Sequence, residues 1–130
     1  MKHIEVVAAI IMYKDKILCV QRNVNKYAYI SKKFEFPGGK IEEGESREQA
    51  LKREIKEELS MDIGIGDLFL TVDHTYPDFK LTMHSFICTC VSPDLILSEH
   101  IDFKWLSKVE LKNLDWAGAD VPIVQKLIAS

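Results

Sequence analysis

Acidic side chains crowd one short stretch of this sequence, and they are the residues whose types and spacing could do chemistry. Seven of the twenty Asp and Glu residues fall between Glu42 and Glu58. If this stretch is wound as a helix at about 100° per residue, three carboxylates share one face, those of Glu54, Glu57 and Glu58. Like charges at this spacing repel by a few tenths of a kcal/mol per pair. The arrangement therefore favours a site that holds a positive charge.

Glu58 is the carboxylate that fits a solvated helix surface least well. It follows Leu51 by seven residues, and Leu51 belongs to the apolar stripe, so Glu58 is aimed at the boundary of the core. A half-buried carboxylate needs a countercharge. A hard divalent cation such as Mg²⁺ would supply it, because Mg²⁺ takes oxygen ligands and shares its sites with waters and substrate phosphates. The competing interpretation is a solvated face balanced by Lys52, Arg53 and Lys56.

Two neighbouring features fit the same cation site. Arg53 directly precedes Glu54 and could orient its carboxylate through paired hydrogen bonds. The consecutive glycines Gly38 and Gly39 would let backbone carbonyls approach the cation closely.

The rest of the pattern predicts the elements that position these residues. They are a hairpin (Glu5 to Tyr13, Ile17 to Arg22), a loop (Asn23 to Lys33), a short strand from Phe34 that is ended by Pro37, Gly38 and Gly39, a helix (Ser46 to Leu59) with a Ser46–Gln49 capping box, a second hairpin (Asp67 to His74, Lys80 to Val91), a short strand (Phe103 to Leu106) and a helix (Val121 to Ile128). The segment Asp62 to Gly66 is expected to separate the first helix from the second hairpin. Strands before, between and after two helices predict a mixed sheet with helices packed on it, an α/β or α+β domain.

Length and composition limit the class of protein. The 130 residues, 47% hydrophobic and 28% charged, fit one domain over residues 1–130 that needs no metal or disulfide to hold a core. The net charge of -3 argues against binding a nucleic acid polymer, which needs a dense Lys and Arg face. Three cysteines in apolar runs, no bilayer-length apolar segment and no secretory pattern predict a cytoplasmic protein with no membrane partner. A monomer and a homodimer are both left open.

One pattern indicates a family. From Gly39 the chain reads Gly, five residues, Glu45, seven residues, Arg53-Glu54-Ile55-Lys56-Glu57-Glu58, one residue, Ser60 and Met61. This resembles the signature of the Nudix hydrolases, which fixes about nine positions over 23 residues. The chain departs from the signature at Ser60, where the family usually has Gly. Further segments resemble the MutT-type nucleoside triphosphate pyrophosphohydrolases, especially the CTP pyrophosphohydrolase branch: Ile4 to Ile11, Phe34 to Gly39 and Ala119 to Val124.

The resemblance implies the Nudix fold, a mixed β-sheet sandwiched between α-helices, and Mg²⁺-dependent hydrolysis of a nucleoside triphosphate to the monophosphate and pyrophosphate. It implies metal binding by the Gly39 carbonyl and by the carboxylates of Glu54, Glu57, Glu58 and Glu99. Arg53 and Glu45 match positions that orient the helix carboxylates, with an ordinary surface ion pair as the alternative. The residues expected in catalysis are Arg53, Glu54, Glu57 and Glu99, and the resemblance leaves open which carboxylate takes the proton of the attacking water.

Base recognition is expected from residues outside the acidic helix. Asp120 matches a position that is Asn in MutT, for guanine, and Asp in the CTP-type branch. A carboxylate accepts hydrogen bonds and suits the exocyclic amine of cytosine, whereas the alternative is N-capping of the last helix. Tyr76 matches an aromatic that stacks on the base, with core or turn packing as the alternative. Phe36 is expected in the pocket wall or the core, and Arg22 at a phosphate.

The histidines carry no metal-ligand spacing. His84 is expected on the sheet surface, and His74 and His100 near loops beside the pocket.

The expected function is hydrolysis of CTP, dCTP or C5-modified cytosine nucleotides. An 8-oxo-dGTP diphosphatase is the nearest alternative, and a sensor that binds nucleotide without hydrolysing it is an alternative of another class.

Overall fold

The computed structural model describes residues 1–130 and contains seven strands and two α-helices. The strands are β1 (Lys2–Tyr13), β2 (Lys16–Gln21), β3 (Phe34–Glu35), β4 (Gly38–Lys40), β5 (Gly64–Thr75), β6 (Phe79–Thr89) and β7 (Asp102–Leu106). The helices are α1 (Arg47–Leu59) and α2 (Val121–Ala129), and two short 3₁₀ helices span Lys108–Asn113 and Gly118–Asp120.

The strands form one mixed sheet in the order β3-β2-β1-β6-β5, with β4 also pairing β1 and β7 also pairing β2. The central pairing of β1 with β6 is parallel and runs from Lys2 opposite Phe79 to Met12 opposite Thr89. The other pairings are antiparallel. β1 is therefore the middle of the molecule, and its residues Val7 to Ile11 are all buried.

Helices cover both faces of this sheet. On one face α1 packs its residues Ala50, Leu51, Ile55 and Leu59 against one apolar cluster. On the other face α2 packs Ile123, Val124 and Leu127 into a second cluster. The expected sandwich of a mixed sheet between helices is confirmed. Neither helix is long and apolar enough to cross a membrane.

The first hairpin turns more tightly than its sequence indicates. Lys14 and Asp15 both adopt positive φ, 47° and 64°, and Tyr13 pairs with Lys16. Two consecutive left-handed residues match the twist of the flanking strands, so a two-residue loop closes the hairpin.

The strand that begins at Phe34 ends before Pro37, as expected, because Pro37 cannot donate to a ladder; its carbonyl accepts from the Ala9 N–H at 2.8 Å, and the chain resumes as β4 at Gly38. Two local expectations need correction. Gly64 to Gly66 belong to β5, which continues past them through two register shifts. His84 is not on the sheet surface but 4% exposed, because β6 lies between β1 and β5 and Glu5 and Thr71 cover the ring.

Helix α1 has the predicted start and an unusual end. The Ser46 hydroxyl accepts from the Gln49 N–H, and the Gln49 side chain accepts from the Ser46 N–H, which completes the capping box. At the other end Ser60 takes the left-handed conformation, φ 54° and ψ 36°, and its N–H bonds to the Lys56 carbonyl. Ser60 thus forms the cap that Gly usually provides, at a steric cost from its Cβ.

Ser60→Gly should therefore stabilise the protein by about 0.5 to 1 kcal/mol, because it removes that cost. Ser60→Ala also deletes the hydroxyl but keeps Cβ, so it should give no such gain. Urea denaturation of both variants and the wild type measures the difference. Equal stabilisation by Ala and Gly would show that the hydroxyl, rather than the backbone conformation, is unfavourable here.

Candidate active site

The main cavity of the molecule, about 610 Å³, opens beside the second half of α1. All but one of the predicted site residues line it: Arg22, Phe36, Gly39, Arg53, Glu54, Glu57, Glu58, Tyr76, Glu99 and Asp120. Glu45 is the exception and acts through Arg53 (below). The structure therefore brings together residues that lie up to 98 positions apart in the chain, from Arg22 to Asp120.

Arg53 organises the acidic end of this cavity. Its Nε and Nη2 donate to the two carboxylate oxygens of Glu45 at 2.7 and 2.9 Å. Its Nη1 donates to Glu54 at 3.0 Å and to Glu57 at 3.4 Å, and Nη2 also reaches the Lys40 carbonyl at 3.1 Å. This bidentate pairing lowers the pKa of Glu45 to about 2. Arg53 thus ties α1 to the loop before it and fixes the direction of two carboxylates.

Gly39 lies directly against Glu54. A Cβ added at Gly39 would overlap the Glu54 carboxyl group, and one added at Gly38 would overlap the Val7 backbone. Side chains at either position would separate β4 from α1 and β1. The glycines therefore keep a backbone segment and a carboxylate in contact at the cavity wall.

Glu58 is buried in the wall without a protein countercharge. Its side chain is 5% exposed, and its Oε2 has no hydrogen-bond partner. Burial and the nearby carboxylates of Glu35 and Glu54 raise the pKa of Glu58 to about 10. The prediction that Glu58 points to the edge of the core is confirmed, and the charged form of this side chain requires a cation.

The donor set fits a hard divalent cation bound together with a substrate. Glu58 Oε2 is an orphaned buried oxygen, and Glu54 faces the same cavity. No three His, Cys, Asp or Glu side chains converge at metal-ligand spacing. Mg²⁺ does not require such a cage, because it is usually held by one or two carboxylates and completes its octahedron with waters and phosphates.

The C-terminal end of α1 positions the segment that carries Glu99. Ser98 Oγ donates to the Glu57 and Glu58 carbonyls at 3.0 and 3.1 Å, and its N–H bonds to the Glu58 carbonyl at 3.1 Å. These are carbonyls that the end of a helix leaves without partners. Ser98 therefore anchors the exposed Glu99 beside the acidic face of α1.

Glu35 and His100 are site residues that the sequence did not assign. Glu35 accepts from Arg22 Nη1 at 3.2 Å and from His100 Nε2 at 3.0 Å. All three side chains line the cavity, so Arg22 is held by an ion pair rather than free. The sequence shows a charged residue between Phe34 and Phe36, but it does not show that the partners of Glu35 lie 13 and 65 residues away in the chain.

Asp120 lies at the other end of the cavity, 4% exposed. Its Oδ1 accepts from the Phe36 N–H at 3.0 Å. Burial and the charge of Glu35 raise the pKa of Asp120 well above its ordinary value. The N-capping alternative is wrong: the side chain makes no cap hydrogen bond, and the backbone at φ -85° and ψ -19° already continues the preceding 3₁₀ turn into α2.

Two aromatic residues form the wall at this end. Tyr76 is 6% exposed. The ring of Tyr29 stacks on the ring of Tyr76 with 5.1 Å between the centroids, and the Tyr76 hydroxyl accepts from the Ala119 N–H at 2.9 Å. Phe36 is 3% exposed and stacks on Trp116 at 4.8 Å. Tyr76 packs in the wall, where Tyr29 covers one face of its ring. Stacking of Tyr76 on a base stays a prediction. His74 packs on Tyr76 outside the cavity.

Comparison with known proteins agrees with this geometry. Residues 1–127 match the model of the NUDIX domain. The chain belongs to the Nudix hydrolase family, whose members generally use divalent metal ions and act on nucleotides.

Its relatives have different named substrates. The chain is 34% identical over 129 residues to the CTP pyrophosphohydrolase of Escherichia coli (strain K12), covering 99% of this chain and 94% of the relative. It is 31% identical over 127 residues to the 8-oxo-dGTP diphosphatase of the same organism, covering 98% of each. The solution structure of a MutT protein of the Nudix family from methicillin-resistant Staphylococcus aureus 252 matches with a TM-score of 0.76 and 40% identity, covering 99% of this chain and 98% of that one.

Mg²⁺ should stabilise the folded protein more at about pH 8.5 than at about pH 6. Because the pKa of Glu58 is raised, the Glu58 carboxyl keeps its proton in the metal-free folded state at pH values above 4.5, where the same carboxyl in the unfolded chain loses it. Metal-free stability therefore falls as the pH rises from about 4.5 toward about 10. A cation replaces that proton, so its binding strengthens with pH.

Glu58→Gln should flatten this pH dependence and lose most of the Mg²⁺-induced rise in Tm, as measured by thermal melts with Mg²⁺ and with EDTA. Glu48→Gln, on the exposed first turn of α1 and outside the cavity, is the matched control. An undiminished Mg²⁺ shift in Glu58→Gln would remove Glu58 from the cation site.

Proposed function

We propose that the protein is a Mg²⁺-dependent nucleoside triphosphate pyrophosphohydrolase that prefers CTP, dCTP or C5-modified cytosine nucleotides. The observation that carries this proposal is the orphaned carboxylate of Glu58, which shares a cavity with Glu54, Glu57 and Glu99 at one end and with Asp120 at the other. One end suits a cation and polyphosphate, and the other suits a base.

At the acidic end each residue has a distinct proposed role. Glu54, Glu57, Glu58, Glu99 and the Gly39 carbonyl supply the protein ligands of one or more Mg²⁺ ions, each held by one or two of these carboxylates, and Mn²⁺ is the alternative ion. When bound, Mg²⁺ supplies neutralisation of the triphosphate and Lewis acidity toward the attacking water. Arg53 orients Glu54 and Glu57, and Glu45 holds Arg53 in place.

The reaction cleaves the bond between the α and β phosphates and yields the nucleoside monophosphate and pyrophosphate. One carboxylate accepts a proton from water, and the candidates are Glu54, Glu57 and Glu99. Glu54 already accepts a hydrogen bond from Arg53 at 3.0 Å, whereas the hydrogen bond from Arg53 to Glu57 is longer, at 3.4 Å. Glu57 and Glu99 are the more exposed of the three, so water has direct access to them.

At the other end Asp120 is proposed to recognise the base. Its Oδ1 is occupied by the Phe36 N–H, which leaves Oδ2 to face a ligand. That oxygen can accept from the N4 amine of cytosine.

The direct test is pyrophosphate release with Mg²⁺ across CTP, dCTP, 5-methyl-dCTP, dTTP, GTP, dGTP and 8-oxo-dGTP. The proposal expects the highest kcat/KM among the cytosine nucleotides. The highest value for 8-oxo-dGTP would favour the alternative of nucleotide-pool sanitation. Binding without release from any nucleotide would instead favour a non-catalytic sensor.

Glu57→Gln should lower kcat by about 10² to 10³, because the substitution removes a negative charge from the reacting centre. The fold should stay intact, because the exposed Glu57 side chain makes only a long bond to Arg53. Steady-state pyrophosphate release and a thermal melt together check this. Glu48→Gln again serves as the control on the same helix. A Glu57→Gln enzyme as active as the wild type would place Glu57 outside the reaction.

Asp120→Asn should lower kcat/KM for CTP and dCTP by about tenfold to a hundredfold. Its Oδ1 would still accept from Phe36 N–H, but Nδ2 would present donors where cytosine N4 also donates. Activity on guanine nucleotides, whose O6 is an acceptor, should fall less. An equal loss for all bases would mean that Asp120 maintains the pocket without reading the base.

A further inference from the structure

His100 has a position that the proposed reaction does not use. Its side chain is 5% exposed and lines the cavity. The ring lies between two carboxylates, with Nε2 at 3.0 Å from Glu35 Oε2 and at 3.8 Å from Glu58 Oε1. Nδ1 is buried and has no hydrogen-bond partner.

The partners fix which ring nitrogen carries the proton. A carboxylate accepts, so Nε2 must donate to Glu35. The Nε2–H therefore bonds to Glu35, and Glu58 Oε1 lies next to the same nitrogen at 3.8 Å, beyond hydrogen-bond distance. Of all Lys, Arg and His side chains, only His100 lies within 4.0 Å of the Glu58 carboxylate. Arg53, which orients Glu54 and Glu57, does not reach it.

The surroundings fix where the ring sits. Ser98 bonds to the last carbonyls of α1 and so places His100 at the end of the same helix turn that carries Glu58. On the opposite side Arg22 bonds to Glu35 at 3.2 Å and holds that carboxylate toward the ring. Two separate anchors therefore converge on one N–H group.

We propose that His100 is a positioning residue for the cation site: its Nε2–H donates to Glu35, and the ring held in this way, 3.8 Å from Glu58 Oε1, limits the directions that the Glu58 carboxylate can take before a divalent cation arrives. This inference rests on the proposed function for the identity of the ligand, but its geometry concerns only residues of this chain. Groups that orient metal-binding side chains commonly change metal affinity by about 10- to 100-fold when lost.

The test compares His100→Asn with His100→Gln. Gln can place an N–H near the position of Nε2, whereas Asn reaches only as far as Nδ1. His3→Asn, an exposed histidine that bonds to Thr82 outside the cavity, is the control. Mn²⁺ affinity is measured without nucleotide from the EPR signal of the free ion, and thermal melts with EDTA report folding. His100→Leu replaces the Asn variant if the latter does not fold.

The proposal expects His100→Asn to weaken Mn²⁺ binding by about 10- to 100-fold, with His100→Gln recovering most of the affinity and His3→Asn unchanged. In the nucleotide assay His100→Asn should need more Mg²⁺ for half-maximal rate, with an unchanged KM for nucleotide at saturating Mg²⁺. Equal Mn²⁺ affinity in the Asn variant and the wild type would overturn the proposal, as would equal losses in the Asn and Gln variants. A wild-type protein that binds Mn²⁺ but releases no pyrophosphate would refute the proposed function while leaving the Mn²⁺ comparison valid.

Discussion

The proposed cation site depends on the burial of one carboxylate, that of Glu58. Glu58 faces inward from a helix whose other inward residues are apolar, and one of its oxygens has no partner. A charge in that position is unfavourable unless a cation accompanies it. The acidic face of α1, the contact between Gly39 and Glu54, and the hydrogen bonds of Arg53 all make sense as an arrangement that receives such a cation.

The sheet supplies the second half of the site. β3 carries Glu35 and is followed directly by Phe36. The segment before α2 is held against β3 by the bonds of Phe34 N–H to the Asp115 carbonyl and Ala117 N–H to the Phe34 carbonyl. These bonds place Asp120 beside Phe36. A single short strand therefore links the wall that faces a base to the residues that face the cation, and Glu35 contacts both Arg22 and His100 along that link.

Local signals predicted the parts of the fold that local forces determine. The capping box, the apolar stripe of α1 and the Arg53–Glu54 pairing involve neighbours within one or two helical turns, and all are present as expected. The parallel pairing of β1 with β6 joins residues about 77 positions apart, from Lys2 opposite Phe79, and no local pattern encodes it.

The same reasoning explains what was missed in the site. Glu35 and His100 gain their importance from each other, across 65 residues. His84 appeared to alternate toward solvent, but β5 and β1 enclose its strand on both sides. Tyr76 packs in the cavity wall against Tyr29, which comes from a loop with no periodic pattern and covers one face of the Tyr76 ring. In each case the deciding partner came from a distant segment.

The most direct measurement is anomalous diffraction from crystals soaked with Mn²⁺ and a non-hydrolysable CTP analogue. The account predicts Mn²⁺ density in the cavity within coordination distance of Glu58 and Glu54, with the analogue's phosphates on the same ion and its base toward Asp120. Mn²⁺ density elsewhere on the molecule, with the Glu58 carboxylate still buried and unliganded, would contradict it.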